Sequence, residues 1–232
     1  MQTHSLELER ATRLSPSVRL LVFRASGTQK LEWIPGQYLE LYQRERPELK
    51  VPYSIASPMD GEQPGRFEIA LAEISSADFV LKLLPGQELC ANGPSGTFVR
   101  RGSEHQSALF VGAGTGVAPL RAMIVEELRQ LNGAELALLF GSRSEADILW
   151  GAEFSALARA QRNFLFEPSL SQPSDDWRGR RGYVQQHLLE LVTSLRPSEI
   201  YICGPAAMVT GCLAVLESDA VASSTRICSE TQ

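Results

Sequence analysis

The grain of the sequence changes once, near residue 100, and that change limits the available folds more than any other feature. Up to about Arg100, short apolar or alternating runs such as Leu6–Leu8 and Val18–Phe23 are cut by turn signals at Ser15-Pro16, Pro35-Gly36, Pro64-Gly65, Pro85-Gly86 and Gly93-Pro94. Many short strands with this punctuation predict an antiparallel sandwich or barrel. One helix is expected to intrude near Ser76–Leu84, with Ser75 or Ser76 as its N-cap. Beyond the polar stretch Arg100–Glu104 the pattern alternates. Strand-like runs at Ser107–Val111, Leu136–Phe140, Phe164–Phe166 and Ile200–Cys203 are separated by helical stripes. The stripes are Val117, Leu120, Ile124, Leu128 and Leu131, then a stretch from Phe154, then Val184, Leu188, Leu191 and Leu195, then Met208, Val209, Cys212 and Leu216. Strand–helix alternation predicts a parallel α/β sheet with right-handed crossovers. The expected division is a β domain over 1–102 and an α/β domain over 103–232.

Length agrees, since 232 residues suit two modest domains, each with its own core. A net charge of −5 argues against nucleic acid as a partner, because phosphate recognition wants a basic face. Met1–Leu14 lacks the apolar segment of a signal peptide, and no stretch nears the roughly 18 apolar residues that span a bilayer. The cysteines, Cys90, Cys203, Cys212 and Cys228, form no Cys-x-x-Cys pair, which disfavours zinc or an iron–sulfur cluster. They read as reduced thiols in a cytoplasmic protein. His4, His105 and His187 show neither triad nor metal spacing, so no metal site is expected and a hydrolase is disfavoured.

The chemistry-bearing segment is Gly112-Ala113-Gly114-Thr115-Gly116-Val117-Ala118-Pro119, between a strand and a helix. Glycines there let backbone N–H groups approach an anion at a helix N-terminus, and Pro119 in the first turn forfeits no hydrogen bond. A tight turn without ligand is the plainer alternative. The loop is not the G-x-G-x-x-G dinucleotide pattern, whose third glycine falls at Val117. The acidic residue expected after the next strand is also absent, since that strand ends in Phe140-Gly141-Ser142-Arg143.

Two further segments complete a set: Val51-Pro52-Tyr53-Ser54-Ile55-Ala56-Ser57 and Cys203-Gly204-Pro205-Ala206-Ala207-Met208. With the glycine loop, with Pro35-Gly36-Gln37-Tyr38 and with Gly93–Phe98, they make the chain resemble the ferredoxin–NADP reductase superfamily, above all its small flavin reductases without a cluster domain. The resemblance covers nearly the whole chain. It implies a flavin-binding β-barrel followed by a nucleotide-binding α/β domain. It implies that Tyr38, Pro52, Tyr53 and Ser54 bind flavin (FAD or FMN), Tyr53 stacking on the ring system and Ser54 bonding near flavin N5. Cys203 would pack near nicotinamide C4, with Gly204, Pro205 and Met208 around it, while Gly112, Gly114, Thr115 and Gly116 would approach the pyrophosphate. The plainer readings are a core aromatic for Tyr53, a turn hydroxyl for Ser54 and a small buried hydrophobe for Cys203.

The departures are specific. The arginine that meets the flavin phosphate in relatives falls at Val51, and Lys50 beside it lacks the bidentate fork. The second phosphate element reads Glu73-Ile74-Ser75-Ser76, where Ser75 and Ser76 could cap a helix towards the phosphate. At the carboxyl end Glu230 fits the acidic position near the flavin, but Gln232 stands where relatives carry a covering aromatic. A solvated terminal residue is the equal alternative for Glu230. Ser142 and Arg143 fall where the adenosine ribose is met, favouring NADPH over NADH with dual use as the alternative, although Glu145 and Asp147 stand close by and a solvated loop residue is the equal reading of Arg143. The expected function is hydride transfer from NAD(P)H to flavin, with electrons passed to free flavin or a small acceptor protein. Two alternatives remain: the reductase component of a ferredoxin or oxygenase system, and a non-catalytic nucleotide sensor on this fold.

Overall fold

The computed structural model describes residues 2–26, 30–73, 79–100, 106–130, 133–218 and 225–232. The chain forms two compact units, residues 1–100 with 121–126, and residues 101–120 with 127–232.

The first unit carries six strands: β1 (Thr3–Ser15), β2 (Val18–Ser26), β3 (Tyr38–Tyr42), β4 (Val51–Ser54), β5 (Arg66–Ala72) and β6 (Glu88–Ser95). They form one antiparallel sheet in the order β4-β3-β6-β1-β2-β5. Alternation decides which side faces in. Every second residue of β5 is buried, and on β1 Leu6 and Leu8 are buried while Glu7 is exposed. Leu21, Leu39, Leu41, Ile55 and Phe67 complete the core, where Phe67 stacks on Phe23 at 5.7 Å and meets the edge of Trp33 at 5.9 Å. The sheet curls until its edges meet: Ala56, just past β4, donates its N–H to Glu68 O of β5 at 2.7 Å. This barrel-like closure removes the open edges that would invite foreign strands. In place of the expected helix over 76–84, the described part holds a single 3₁₀ turn, Val80–Lys82. Leu83 is already extended, and Pro85-Gly86 follows, which no helix continues through. Residues 74–78, including Ser75 and Ser76, lie outside the described residues.

The second unit is built on β7 (Ala108–Ala113), β8 (Leu136–Ser142), β9 (Phe164–Leu170), β10 (Arg180–Arg181), β11 (Glu199–Gly204) and β12 (Arg226–Thr231), all parallel, in the order β10-β9-β8-β7-β11-β12. The helices are α1 (Val117–Gln130), α2 (Gly151–Ala160), α3 (Leu188–Leu195) and α4 (Ala206–Ser218). By contact α1 is shared, its residues 121–126 grouping with the first unit. β7 and β11 are buried along most of their length, as strands covered on both faces must be. Leu109, Val111, Ile200 and Ile202 pack on Leu188, Leu191, Met208 and Cys212. The stripe expected as one helix from Val184 to Leu195 is split, because Val184–Gln186 forms a 3₁₀ turn and α3 starts only at Leu188. Two strands join the four expected. One is β12, formed by the carboxyl-terminal stretch. Among the described residues no helix is long and apolar enough to cross a membrane.

Candidate active site

In the first unit the candidate residues lie on the β3–β4 hairpin, where Tyr38 pairs with Ser54, Leu39 with Tyr53, Glu40 with Pro52 and Leu41 with Val51. Cross-strand partners share a face, so Tyr38 and Ser54 come together. Both are half-buried. Gly96 makes room for Tyr38, because a Cβ there would stand 3.1 Å from the ring. Pro52 is exposed, while Tyr53 stays half-buried with its ring partly against the barrel core. Val51 brings no charge, and the neighbouring Lys50 ammonium sits 5.6 Å over the Tyr42 ring. These residues suit the ring and ribityl portion of a flavin: aromatic surface, a hydroxyl and an accessible strand end. Beside Val51 the charge nearest in sequence is Lys50, just before β4, as a point charge. Val51→Arg is therefore expected to tighten flavin binding about 10–100-fold, the worth of one charge-assisted contact of about 1.5–3 kcal/mol, read by fluorescence titration with FAD and FMN.

In the second unit the chain winds outward from β7 to β10 and then returns to the other side of β7 at β11, so the β7/β11 carboxyl ends mark the switch point of the sheet. The glycine loop lies there. Gly112, next to last in β7, is in register with Cys203, and Gly114–Gly116 make one 3₁₀ turn into α1. Gly114 is exposed at φ 55°, Thr115 is half-buried, and Pro119 is buried in the first turn of α1. Gly116 is tightly enclosed: a Cβ there would stand 2.3 Å from Cys203 O and 2.6 Å from Gly204 Cα. The loop and the end of β11 thus touch backbone to backbone.

Cys203 is fully buried. Burial first, and the Glu230 charge second, push its thiol far above the usual range, so it stays protonated and does not act as a nucleophile. Glu230 stands directly opposite Cys203 in the β11–β12 register, and burial raises its own carboxyl. Gln232 N–H donates to Gly204 O at 3.0 Å, fastening the chain end to the same corner. Glu230 is therefore part of a sheet and not a loose terminal residue. The Pro205 carbonyl accepts from Met208 and Val209, so Pro205 precedes the first turn of α4, one position earlier than a helix-starting proline. Met208 is buried, its methyl 3.0 Å from where a Gly204 Cβ would be.

At the end of β8, Ser142 is half-buried and Arg143 exposed. The nearby carboxylates are committed elsewhere. Asp147 accepts from Ser144 N–H at 3.2 Å and from its hydroxyl at 2.8 Å. Glu145 accepts from the Ser174 hydroxyl at 2.5 Å, which holds its carboxyl below the ordinary range. Register adds a residue the sequence reading missed: Ser142 pairs with Leu170, and Leu170 with Arg181, so Arg181 stands in the Ser142 row. Arg181 Nη2 donates to Ser174 O at 3.0 Å and Trp177 O at 3.1 Å, and Tyr183 beyond it is 67% exposed. Within Arg178-Gly179-Arg180-Arg181 the sequence shows only a basic run, which reads as solvated surface. His187 Nε2 lies 2.9 Å from Arg181 O and His4 Nε2 lies 3.2 Å from Gly93 O, while His105 is outside the described residues. Among the described residues no cluster of three or more His, Cys, Asp or Glu could hold a metal ion.

Comparison with known proteins agrees with this geometry. Residues 110–213 match the oxidoreductase NAD-binding domain family. Over 207 residues the chain is 38% identical to ferredoxin–NADP reductase B of Sorangium cellulosum, covering 85% of this chain and 84% of that one. It is 27% identical over 196 residues to the electron transfer component of anthranilate 1,2-dioxygenase of Acinetobacter baylyi, covering 84% of this chain but only 57% of that component. The flavohem-like FAD/NAD-binding domain of nitric oxide dioxygenase from Vibrio cholerae shares the fold, with a TM-score of 0.81 at 20% identity over 99% of this chain and 98% of that domain. A barrel-like antiparallel sheet followed by a parallel sheet with a glycine loop at its switch point is the architecture of flavin- and nicotinamide-dependent oxidoreductases. The chain belongs to the ferredoxin–NADP reductase family.

Proposed function

We propose that the chain is an NAD(P)H-dependent flavin oxidoreductase, with residues 1–102 serving flavin and 103–232 serving the nucleotide. The observation that carries this reading is the close apposition of Gly116 to Cys203-Gly204 at the switch point, with Glu230 beside it. Loop amides at a helix start suit a pyrophosphate, and the buried, protonated Cys203 offers a small neutral surface for the nicotinamide. Flavin, when bound, supplies the acceptor for the hydride and the means of passing electrons onward. Ser54 donates a hydrogen bond to its reacting edge, Tyr38 and Tyr53 cover its ring, and Glu230 presents its carboxyl group beside Cys203. The acceptor is a small electron-carrier protein or free flavin, and the compartment is the cytoplasm, where the four cysteines would stay reduced. The S. cellulosum relative, named a ferredoxin–NADP reductase, favours the protein acceptor.

The test is a visible spectrum of the protein with added FAD or FMN, followed through anaerobic addition of NADPH or NADH. Bleaching of bound flavin supports the reading. Nucleotide binding without flavin binding favours the non-catalytic sensor, which Val51 alone recommends. With Glu145 and Asp147 committed, the basic side chains near Ser142 are Arg181 in its row and Arg143 next in the chain. Arg143→Ala and Arg181→Ala are expected to lower kcat/KM for NADPH about 10–100-fold each and to change NADH little, the worth of a charge-assisted contact to a 2′-phosphate. A wild-type preference for NADH would overturn the coenzyme assignment.

A further inference from the structure

The first unit closes at a seam, and α1 supplies the side chain that fastens it. β4 ends at Ser54, and β5 forms the opposite edge of the sheet order. Residues 55–57 are pinned at this seam, on the β3 side and, through Glu68, across to β5. Ile55 N–H donates to Gln37 O at 2.9 Å, Ala56 N–H to Glu68 O at 2.7 Å, and Trp33 Nε1–H to Ser57 O at 2.9 Å. Glu68 N–H in turn donates to Ser57 Oγ at 3.1 Å. The Ala56 carbonyl is taken by Arg121, whose Nη1 donates to it at 2.8 Å and to Glu68 Oε2, also at 2.8 Å. Only 12% of the Arg121 side chain and 17% of the Glu68 side chain are exposed. A buried ion pair gives little net stability once its desolvation is counted, so its role is better sought in geometry. The guanidinium is suited to it: fixed in direction and always charged, it bridges a carbonyl on one edge and a carboxylate on the other.

We infer that Arg121 is a positioning residue. Through the Ala56 carbonyl and Glu68 it fixes the backbone two residues beyond Ser54, and so aims the Ser54 hydroxyl. The inference rests on the proposed role of Ser54 towards flavin. Arg121 sits one turn into the helix that begins at the glycine loop, on a segment that groups with the first unit.

The experiment compares wild type, Arg121→Met, Arg121→Lys and Glu68→Gln in the full chain. Hydrogen exchange of peptides spanning residues 51–57 is measured without flavin. Visible circular dichroism and stopped-flow reduction by NAD(P)H are measured with FAD or FMN. In Arg121→Met, exchange at residues 55–57 is expected to quicken about tenfold or more, the flavin dichroism to change, and reduction to slow about 10–100-fold, with partial recovery in Arg121→Lys. A lower melting temperature with exchange, dichroism and reduction all at wild-type values would make the pair merely structural and overturn the inference. If Arg121→Met does not fold, Arg121→Lys and Glu68→Gln carry the same three measurements. A wild type that binds neither flavin would sink the flavin role of Ser54, and the exchange data would still decide whether Arg121 holds the seam.

Discussion

Gly116→Ala is expected to raise the Kd for NAD(P)H at least about tenfold and to destabilise the second unit, while Gly114→Ala, which displaces nothing, changes the Kd far less. The two glycines lie two residues apart in one loop, yet their surroundings differ. A Cβ at Gly116 would stand 2.3 Å from Cys203 O and 2.6 Å from Cys203 C, both backbone atoms of β11. β11 cannot retreat, because Cys203 is registered on Gly112 on one side and on Glu230 on the other. The loop must move instead, and overpacking of this kind typically costs about 1–3 kcal/mol, occasionally more. A displaced loop also turns its N–H groups away from the phosphate they are proposed to meet. Gly114, by contrast, has nothing within 4 Å of an added Cβ, so alanine there meets only the strain of φ 55°, about 1–2 kcal/mol. Urea unfolding and nucleotide titration on both variants check the ordering. Flavin titration should be unchanged in both, since the loop belongs to the other unit. Wild-type nucleotide affinity in Gly116→Ala would remove this loop from the site.

Where periodicity was local, the sequence disclosed the fold. The stripe from Val117 through Leu120, Ile124 and Leu128 is buried along α1, and the fully apolar run at Leu136–Phe140 became a strand covered on both faces. What stayed hidden depended on pairing between distant residues. Arg226–Thr231 shows no run or alternation that marks a strand, and it becomes one only because β11 offers it a parallel partner at every position. Arg181 reads as one basic residue in a run until β9 and β10 bring it into the row of Ser142. Arg121 looks like an exposed helix residue, and its burial is intelligible only once Glu68, 53 positions away, is beside it. The 3₁₀ turn at Val80–Lys82 has the composition of a longer helix, and the proline–glycine pair just after it stops that helix from extending.

Glu230→Gln is expected to slow flavin reduction by NAD(P)H about 10–100-fold while making the folded protein more stable at neutral pH. Burial raises the Glu230 carboxyl above its ordinary 4.5, and Cys203, its partner across β11–β12, is too deeply buried to solvate the charge. Between 4.5 and the raised value the folded chain keeps a proton that the unfolded chain has lost. Stability contributed by this group therefore falls as pH rises through that window, and the charged carboxylate is a net burden above it. Below 4.5 both states are protonated and the burden vanishes. Glutamine keeps the shape and one acceptor oxygen but carries no charge, so its advantage in melting temperature should be absent near about pH 4 and largest near about pH 7. The gain is modest, because the side chain is partly open to water. The loss in rate has a separate cause, since a carboxylate favours the positive charge that develops on the nicotinamide as hydride leaves, and a neutral amide does so less. Melting curves from about pH 4 to 8 and stopped-flow reduction in the same buffers separate the two effects. A variant with a wild-type rate at every pH would confine Glu230 to the structure of β12. One less stable than wild type at neutral pH would show the carboxylate to be compensated by a partner in the folded chain.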